Sequence, residues 1–348
     1  MTILALESSC DDTCAAVVDA DGLMRSNVIS SQRAHDRFGG VVPEIASRHH
    51  LEIANAVVAQ ALSEAGATLD DVDLIAATQG PGLVGALLVG LSTAKGLAAA
   101  RELPFAAVDH IQGHVAANFL HGYPEADGPF APPFLCLIAS GGHTLLAHVR
   151  SHDGFEVLGS TLDDAAGEAF DKGARMLGLG YPGGPALERL AATGDPHAFH
   201  FPGARGERSQ AARGAGRKVF AQGLDFSFAG VKTALLYTLR ELSETDAKAR
   251  AADLAASYQN AIVDSLIART ERALERTGID RLAVGGGVAA NGELRRRLRE
   301  LPVALHVPPQ ALCTDNAAMI ASAARYSERL PYPQYLTLDA YATGERPR

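Results

Sequence analysis

An internal duplication limits what this chain can fold into more than any other feature of its sequence. Ile3-Leu4-Ala5-Leu6 reads as a strand, Ser8 to Thr13 as a polar turn and Cys14 to Val18 as a second strand. The same order returns later: Phe134 to Ile138, the turn Ala139-Ser140-Gly141-Gly142-His143-Thr144, then Leu145 to Val149. Both copies reach an acidic turn, Asp19-Ala20-Asp21-Gly22 in one and Ser151-His152-Asp153-Gly154 in the other. A second correspondence follows. Leu74 to Thr78 leads through Gly80-Pro81-Gly82 into a helix, and Leu282 to Val284 leads through Gly285-Gly286-Gly287 into a helix beginning near Asn291. Two features recurring in the same order predict two similar α/β lobes, with the hairpin turns of both directed into one cleft. A length of 348 residues points the same way, since one hydrophobic core stops growing below that size.

Bulk properties narrow the function. A net charge of -9 argues against a protein that grips nucleic acid by bulk electrostatics alone, though not against a local or shared contact. Cys10, Cys14, Cys136 and Cys313 form no C-x-x-C pair and fit reduced thiols of a cytoplasmic protein. The start, Met1-Thr2-Ile3-Leu4, has no basic region before its first strand, so no signal peptide is expected. Leu83 to Ala100 is apolar but broken by Gly85, Gly90, Lys95 and Gly96, which predicts a buried helix rather than a membrane span.

His110 and His114 lie four apart, on one face of a helix, where two imidazoles can share a metal ion or simply pack. Zinc peptidases of the H-E-x-x-H type place their general base after the first histidine; here that residue is Ile111. The turns Ser140-Gly141-Gly142 and Gly286-Gly287 offer unhindered backbone amides to an anion, the latter at a helix start before Asn291. No P-loop is present. Asp164, Glu168 and Asp171 are expected on one helical face, and Tyr181 to Pro185 as a rigid loop. Thr314 or Asp315 is expected to cap a helix, unless Asp315 joins the two histidines at a metal. Between Pro202 and Gln222, Arg205, Arg208, Arg213, Arg217 and Lys218 form either a solvated insertion or a phosphate-binding surface. Arg295, Arg296, Arg297 and Arg299 surround Leu294 and Leu298, and read as the wet face of a helix.

Together the motifs resemble the universal tRNA threonylcarbamoyladenosine transferase family in its bacterial form, described in older usage as an O-sialoglycoprotein endopeptidase. The resemblance spans nearly the whole chain: Glu7-Ser8-Ser9-Cys10-Asp11, Gly39 to Glu44, Gly80 to Leu83, His110 to His114, Ser140 to Thr144, Asp163 to Lys172, Tyr181 to Pro185, Asp225 to Phe228, Gly286 to Asn291 and Cys313 to Asn316. Asp12 departs from the family's usual Glu, and Ala229 and Val231 from its usual Ser and Leu.

The resemblance implies an α/β, two-lobed fold of the actin, heat-shock-ATPase and sugar-kinase (ASKHA) type. Residues 1–132, completed by 316–348, would form one lobe and 133–315 the other. It implies transfer of a threonylcarbamoyl group from threonylcarbamoyl-AMP to N6 of the adenosine 3′ of the anticodon (position 37) in tRNAs reading codons that begin with A. It further implies one divalent metal, iron(II) with zinc as the alternative, on His110, His114 and Asp315. The adenylate would lie against Ile138, Ala139, Ser140, Gly141, Gly142, Asp171, Gly184 and Asn291, and Asp11 matches an acidic position tied to activity. Expected partners are tRNA, a smaller paralogous subunit and a P-loop ATPase, with no membrane. Two other readings stay open on the residues alone: a metallopeptidase, which needs a carboxylate such as Glu44 at the metal water, and a nucleotide-binding scaffold without turnover.

Overall fold

A computed structural model of the chain describes residues 1–123, 130–202 and 223–342. The Arg-rich stretch 203–222 lies outside them, and both readings of it lie there too. The chain divides into two compact units: Met1–Pro132 with Ser151–Gly154 and Pro308–Arg348, and Pro133–Arg150 with Phe155–Val307. The C-terminal part thus joins the first unit from Pro308, ahead of the expected 316, and carries Asp315 into the unit that holds His110 and His114.

The first unit is built on strands β1 (Thr2–Glu7), β2 (Asp12–Asp19), β3 (Met24–Ser31), β4 (Leu74–Gly80) and β5 (Phe105–Asp109). Its helices are α1 (Pro43–Glu64), α2 (Val84–Ala100) and α3 (His110–Ala116). The second unit has β6 (Phe134–Ala139), β7 (Thr144–Ser151), β8 (Gly154–Ser160), α4 (Ala166–Met176), α5 (Gly183–Ala191), α6 (Ala229–Glu241), α7 (Glu244–Ala249), α8 (Ala251–Thr277), β9 (Arg281–Gly285), α9 (Gly292–Leu298) and β10 (Ala304–His306). Helices α10 (Gln310–Cys313) and α11 (Ala317–Ala324) complete the first unit.

The sheets run β3-β2-β1-β4-β5 and β8-β7-β6-β9-β10, the same order twice. In each, an antiparallel hairpin pair precedes parallel strands, β1 beside β4 and β6 beside β9. The duplication read in the sequence is therefore a duplication of topology.

Strand β1 is apolar throughout Ile3 to Leu6 because both faces of its sheet are covered. On one side Leu4, Leu6, Val17 and Ile75 pack with Val57, Val58 and Ala61 of α1 and Leu91, Ala94 and Ala98 of α2. On the other lies α11, every residue of which is buried. Burying Met319 and Ile320 contributes about 1.5–3 kcal/mol each, which holds α11 against the sheet. Among the described residues no helix is long and apolar enough to cross a membrane; α2 buries one face, with Ala86, Leu87, Gly90 and Leu91, and leaves Val84 and Leu88 exposed on the other, so it is half-buried rather than buried throughout.

Candidate functional site

Helix α3 begins where β5 ends. Asp109 caps it, its Oδ1 accepting from the Ile111 and Gln112 amides at 2.9 and 3.2 Å. This fixes His110 and His114 one turn apart, with ring centroids 4.7 Å from each other. Gly113 between them faces α11: a Cβ there would meet Ile320 Cδ1 at 2.7 Å. Glycine therefore lets α3 approach the segment that carries Asp315.

Asp315 is not a cap. Asn316 takes that role, its Oδ1 accepting from the Met319 amide at 2.9 Å, so the expectation of a Thr314 or Asp315 cap is corrected. Asn316 occupies the cap position, and Asp315 one residue earlier is turned to the histidines. Its Oδ1 is 3.3 Å from His114 Nε2 and 3.6 Å from His110 Nε2. One ligand atom from each of the three residues lies within 4.8 Å of the others.

The cluster passes a physical test for a cation site. His114 is fully buried, yet neither ring nitrogen has a hydrogen-bond partner; Nε2 is within ion-pair distance of Asp315 but not aligned for a hydrogen bond. A buried imidazole left in that state costs free energy unless something else takes its lone pair. Two imidazoles and a carboxylate suit a divalent transition metal.

Glu7, at the end of β1, was not singled out by sequence reasoning. It is buried and accepts hydrogen bonds from the Ser9 amide and the Thr78 hydroxyl, and His110 Nδ1 lies 3.0 Å from its Oε2. The signal that could have found it is an acid closing an otherwise apolar strand. Burial alone would depress the His110 pKa, but the Glu7 and Asp315 carboxylates outweigh it and lift the pKa to about 9. The His110 charge in turn holds Glu7 below its ordinary value against its burial.

Asp11 sits in the turn between β1 and β2. The turn is held by the Gln32 amide donating to Asp11 O at 3.2 Å, and by His50, whose Nδ1 pairs with Thr13 Oγ1 at 2.7 Å and whose Nε2 reaches Cys10 O at 3.0 Å. Burial raises the Asp11 pKa and Asp315 adds to the effect; the same two causes lift Asp12 to about 7. Glu44 is exposed and paired with Arg48 at 2.8 Å, so it is engaged away from the histidines.

In the second unit the turn Ser140–Gly142 follows β6. The Ser140 amide donates to His143 O at 2.8 Å and the Ser140 hydroxyl accepts from the His143 amide at 3.1 Å. A Cβ on Gly141 or Gly142 would meet nothing within 4 Å, so the turn opens onto free space. Gly167 must stay small behind it, because a Cβ would lie 2.7 Å from Ser140 O. Gly286, at φ +86, packs against Ala139 O and Ser140 in the same way. Ile138 and Ala139 are buried in β6 and can offer only backbone.

Two local expectations are corrected. Asp164 precedes α4 rather than sharing its face, and pairs with Lys172 at 2.9 Å and with Lys232. Gly183 opens α5, so Tyr181–Pro185 is half loop and half helix; Asp171 Oδ1 accepts from the Gly183 and Gly184 amides at 2.8 and 3.2 Å. Past the Gly286-Gly287 turn, at the start of α9, Asn291 Oδ1 accepts from Leu294 N at 3.0 Å and Glu188 accepts from Gly292 N at 2.7 Å. Leu294 and Leu298 form the buried face of α9 and its arginines the outer one, as expected, with Arg296 bridging Glu293 and Glu300 and Arg297 pairing with Asp264.

A doubled five-stranded α/β topology defines the actin, heat-shock-ATPase and sugar-kinase class. The HypF structure from T. kodakarensis shares it, with a TM-score of 0.57 at 15% identity over 93% of this chain and 47% of that one. The 2-hydroxyglutaryl-CoA dehydratase component A of Acidaminococcus fermentans does too, at 0.51 and 15% over 97% of this chain and 100% of that one. These likenesses speak to fold alone.

Family is settled by sequence: the tRNA N6-adenosine threonylcarbamoyltransferase model matches residues 23–322, and the chain belongs to that family. A relative of that name from Clostridium botulinum (strain 657 / Type Ba4) is 49% identical over 94% of this chain and 92% of its own length. One from Pelobacter propionicus is 47% identical over 100% and 98%. The protein is a transferase that modifies tRNA, forming N6-threonylcarbamoyladenosine.

Proposed function

We propose that the chain takes threonylcarbamoyl-AMP as donor and adenosine 37, 3′ of the anticodon in tRNAs reading codons that begin with A, as acceptor. The observation that carries the site assignment is the buried, unpartnered His114 beside His110 and Asp315 in a member of this transferase family. His110, His114 and Asp315 would hold one divalent metal, iron(II) with zinc as the alternative. When bound, such an ion supplies a Lewis acid that orients and polarises the donor.

The adenylate would rest on the Ser140–Gly142 turn, which is open and backed by Gly167 and Gly286. Backbone amides there suit a phosphate. Asp171, Gly184 and Asn291 are assigned to the same ligand. Their local bonds, Asp171 to the Gly183 and Gly184 amides and Asn291 Nδ2 to Gln259 at 2.9 Å, keep them ordered.

In the transfer, N6 of adenosine attacks the carbamoyl carbon, the bond from that carbon to the phosphate oxygen breaks, and AMP leaves with the electron pair. The amine proton must go to a base. Asp11 is the candidate, since burial raises its pKa and so strengthens it as an acceptor. Holding two substrates in register supplies much of the rate. A smaller paralogous subunit and a P-loop ATPase are the expected partners, in the cytoplasm.

The test is transfer of labelled threonine to tRNA from preformed adenylate with both partner proteins present. His110→Ala is expected to lose most activity together with bound metal. Wild-type turnover by that variant would refute the site.

A further inference from the structure

Resting on the metal reading above, we infer that Glu7 is a positioning residue, which fixes His110 with Nδ1 as hydrogen-bond donor and Nε2 turned toward Asp315 and the metal. Four observations carry it. Glu7 is buried, 1% exposed, at the carboxyl end of β1, so its carboxylate cannot swing into solvent. Its Oε2 is 3.0 Å from His110 Nδ1. The Ser9 amide and Thr78 hydroxyl donate to its two oxygens and aim the carboxylate at the ring. His110 Nε2, on the opposite edge, lies 3.6 Å from Asp315.

A carboxylate only accepts, so the ring nitrogen facing it must carry the proton. The Ser9 hydroxyl, 3.2 Å from the same nitrogen, then accepts a share of that proton. With Nδ1 protonated, the lone pair that a metal needs sits on Nε2. The carboxylate also makes that nitrogen more basic. His114 has no equivalent partner on either nitrogen, so orientation of the pair rests on His110.

The experiment measures Zn2+ binding to the full-length protein at fixed pH by competition with a chromophoric chelator. Wild type is compared with Glu7→Gln and Thr78→Val, and folding is monitored by far-UV circular dichroism. Glu7→Gln keeps the shape but offers no fixed acceptor, and its Kd for Zn2+ is expected to rise about ten- to a hundredfold. Thr78→Val releases one oxygen of Glu7 and weakens binding by a smaller factor. A 15N-edited spectrum of the Zn2+-loaded wild type is expected to show an exchange-protected His110 Nδ1–H that Glu7→Gln loses, a signature that general destabilisation does not produce. If Glu7→Gln does not fold, Thr78→Val decides. Wild-type affinity in the folded variants overturns the role of Glu7 while leaving the metal site standing. A wild-type protein that binds no Zn2+ overturns both.

Discussion

Metal affinity should climb with pH across a window that an ordinary histidine would not produce. In the metal-free protein the Glu7 and Asp315 carboxylates raise His110 to about 9 from its ordinary 6.5. A metal on Nε2 must displace that proton. At pH 7 the ring is about two units below its pKa of about 9, so roughly one molecule in a hundred has the lone pair free. The apparent affinity at pH 7 then lies about a hundredfold, or about 2.7 kcal/mol, below its high-pH limit. Zn2+ competition titrations from pH 6.5 to 9.5, corrected for the chelator's own protonation, should give log K rising by about one per pH unit and flattening near 9. Stability of the metal-free protein should move the other way. A histidine with a raised folded pKa stabilises fully below 6.5 and loses that contribution as pH rises through about 9. Asp12, raised from 3.8 to about 7, destabilises as it ionises over the lower window between those values. The two effects are therefore separable by pH. An affinity that is flat from pH 7 to 9 would refute the coupling of His110 to its carboxylates.

Further outcomes follow from single contacts. Asp315→Asn should weaken Zn2+ binding by more than about a hundredfold, beyond the range for an outer-shell residue, while leaving the circular dichroism of the metal-free protein unchanged because Asp315 caps nothing. Gly113→Ala places a Cβ 2.7 Å from Ile320 Cδ1 and 3.2 Å from Met319 Cγ. Overpacking of about 1–3 kcal/mol, less about 1 kcal/mol of regained helix propensity, should lower the urea midpoint and weaken Zn2+ binding together. Affinity and midpoint both at wild-type values would show that α11 yields freely. Asn316→Ala removes the α11 cap and should cost about 1–2 kcal/mol in urea unfolding, since the amide is fully buried. No loss would mean that another group takes over the Met319 amide.

The duplication was legible because it lies in strand periodicity and turn chemistry, both local. The histidine pair was legible for the same reason, being one helical turn apart. What could not be read was which polar residue would do which job at a helix start. Thr314, Asp315 and Asn316 are all good caps by type, and only the packing of α11 decides that Asn316 points inward and Asp315 outward to the histidines. The same limit applied to Asp171 and Asn291. Sequence marks Asp171 as an acid on a helical face and Asn291 as a polar residue after a glycine turn, whereas packing sets Asp171 Oδ1 on the amides that open α5 and makes Asn291 the cap of α9. Glu7, read only as part of a motif, drew no role because a charged residue at a strand end is most often solvated, and its burial depends on β4 and α3 closing around it.

The duplicated sheet carries different residues at equivalent positions of its two copies. In open α/β sheets ligands gather at the carboxyl ends of parallel strands, because loops and helix starts there are free to carry polar groups. In the first unit all three such ends feed the His110, His114 and Asp315 cluster: β1 ends in Glu7, β4 carries Thr78 close to its end, and β5 runs through Asp109 into His110. In the second unit the matching ends are small: β6 runs into Ser140-Gly141-Gly142 and β9 into Gly286-Gly287. An acid at the end of β1 can fix a ligand side chain, but it would repel a phosphate. Glycine and serine after β6 leave amides and space for an anion but nothing to hold a metal. The first unit thus carries side chains suited to a cation at these ends, and the second carries open amides suited to an anion.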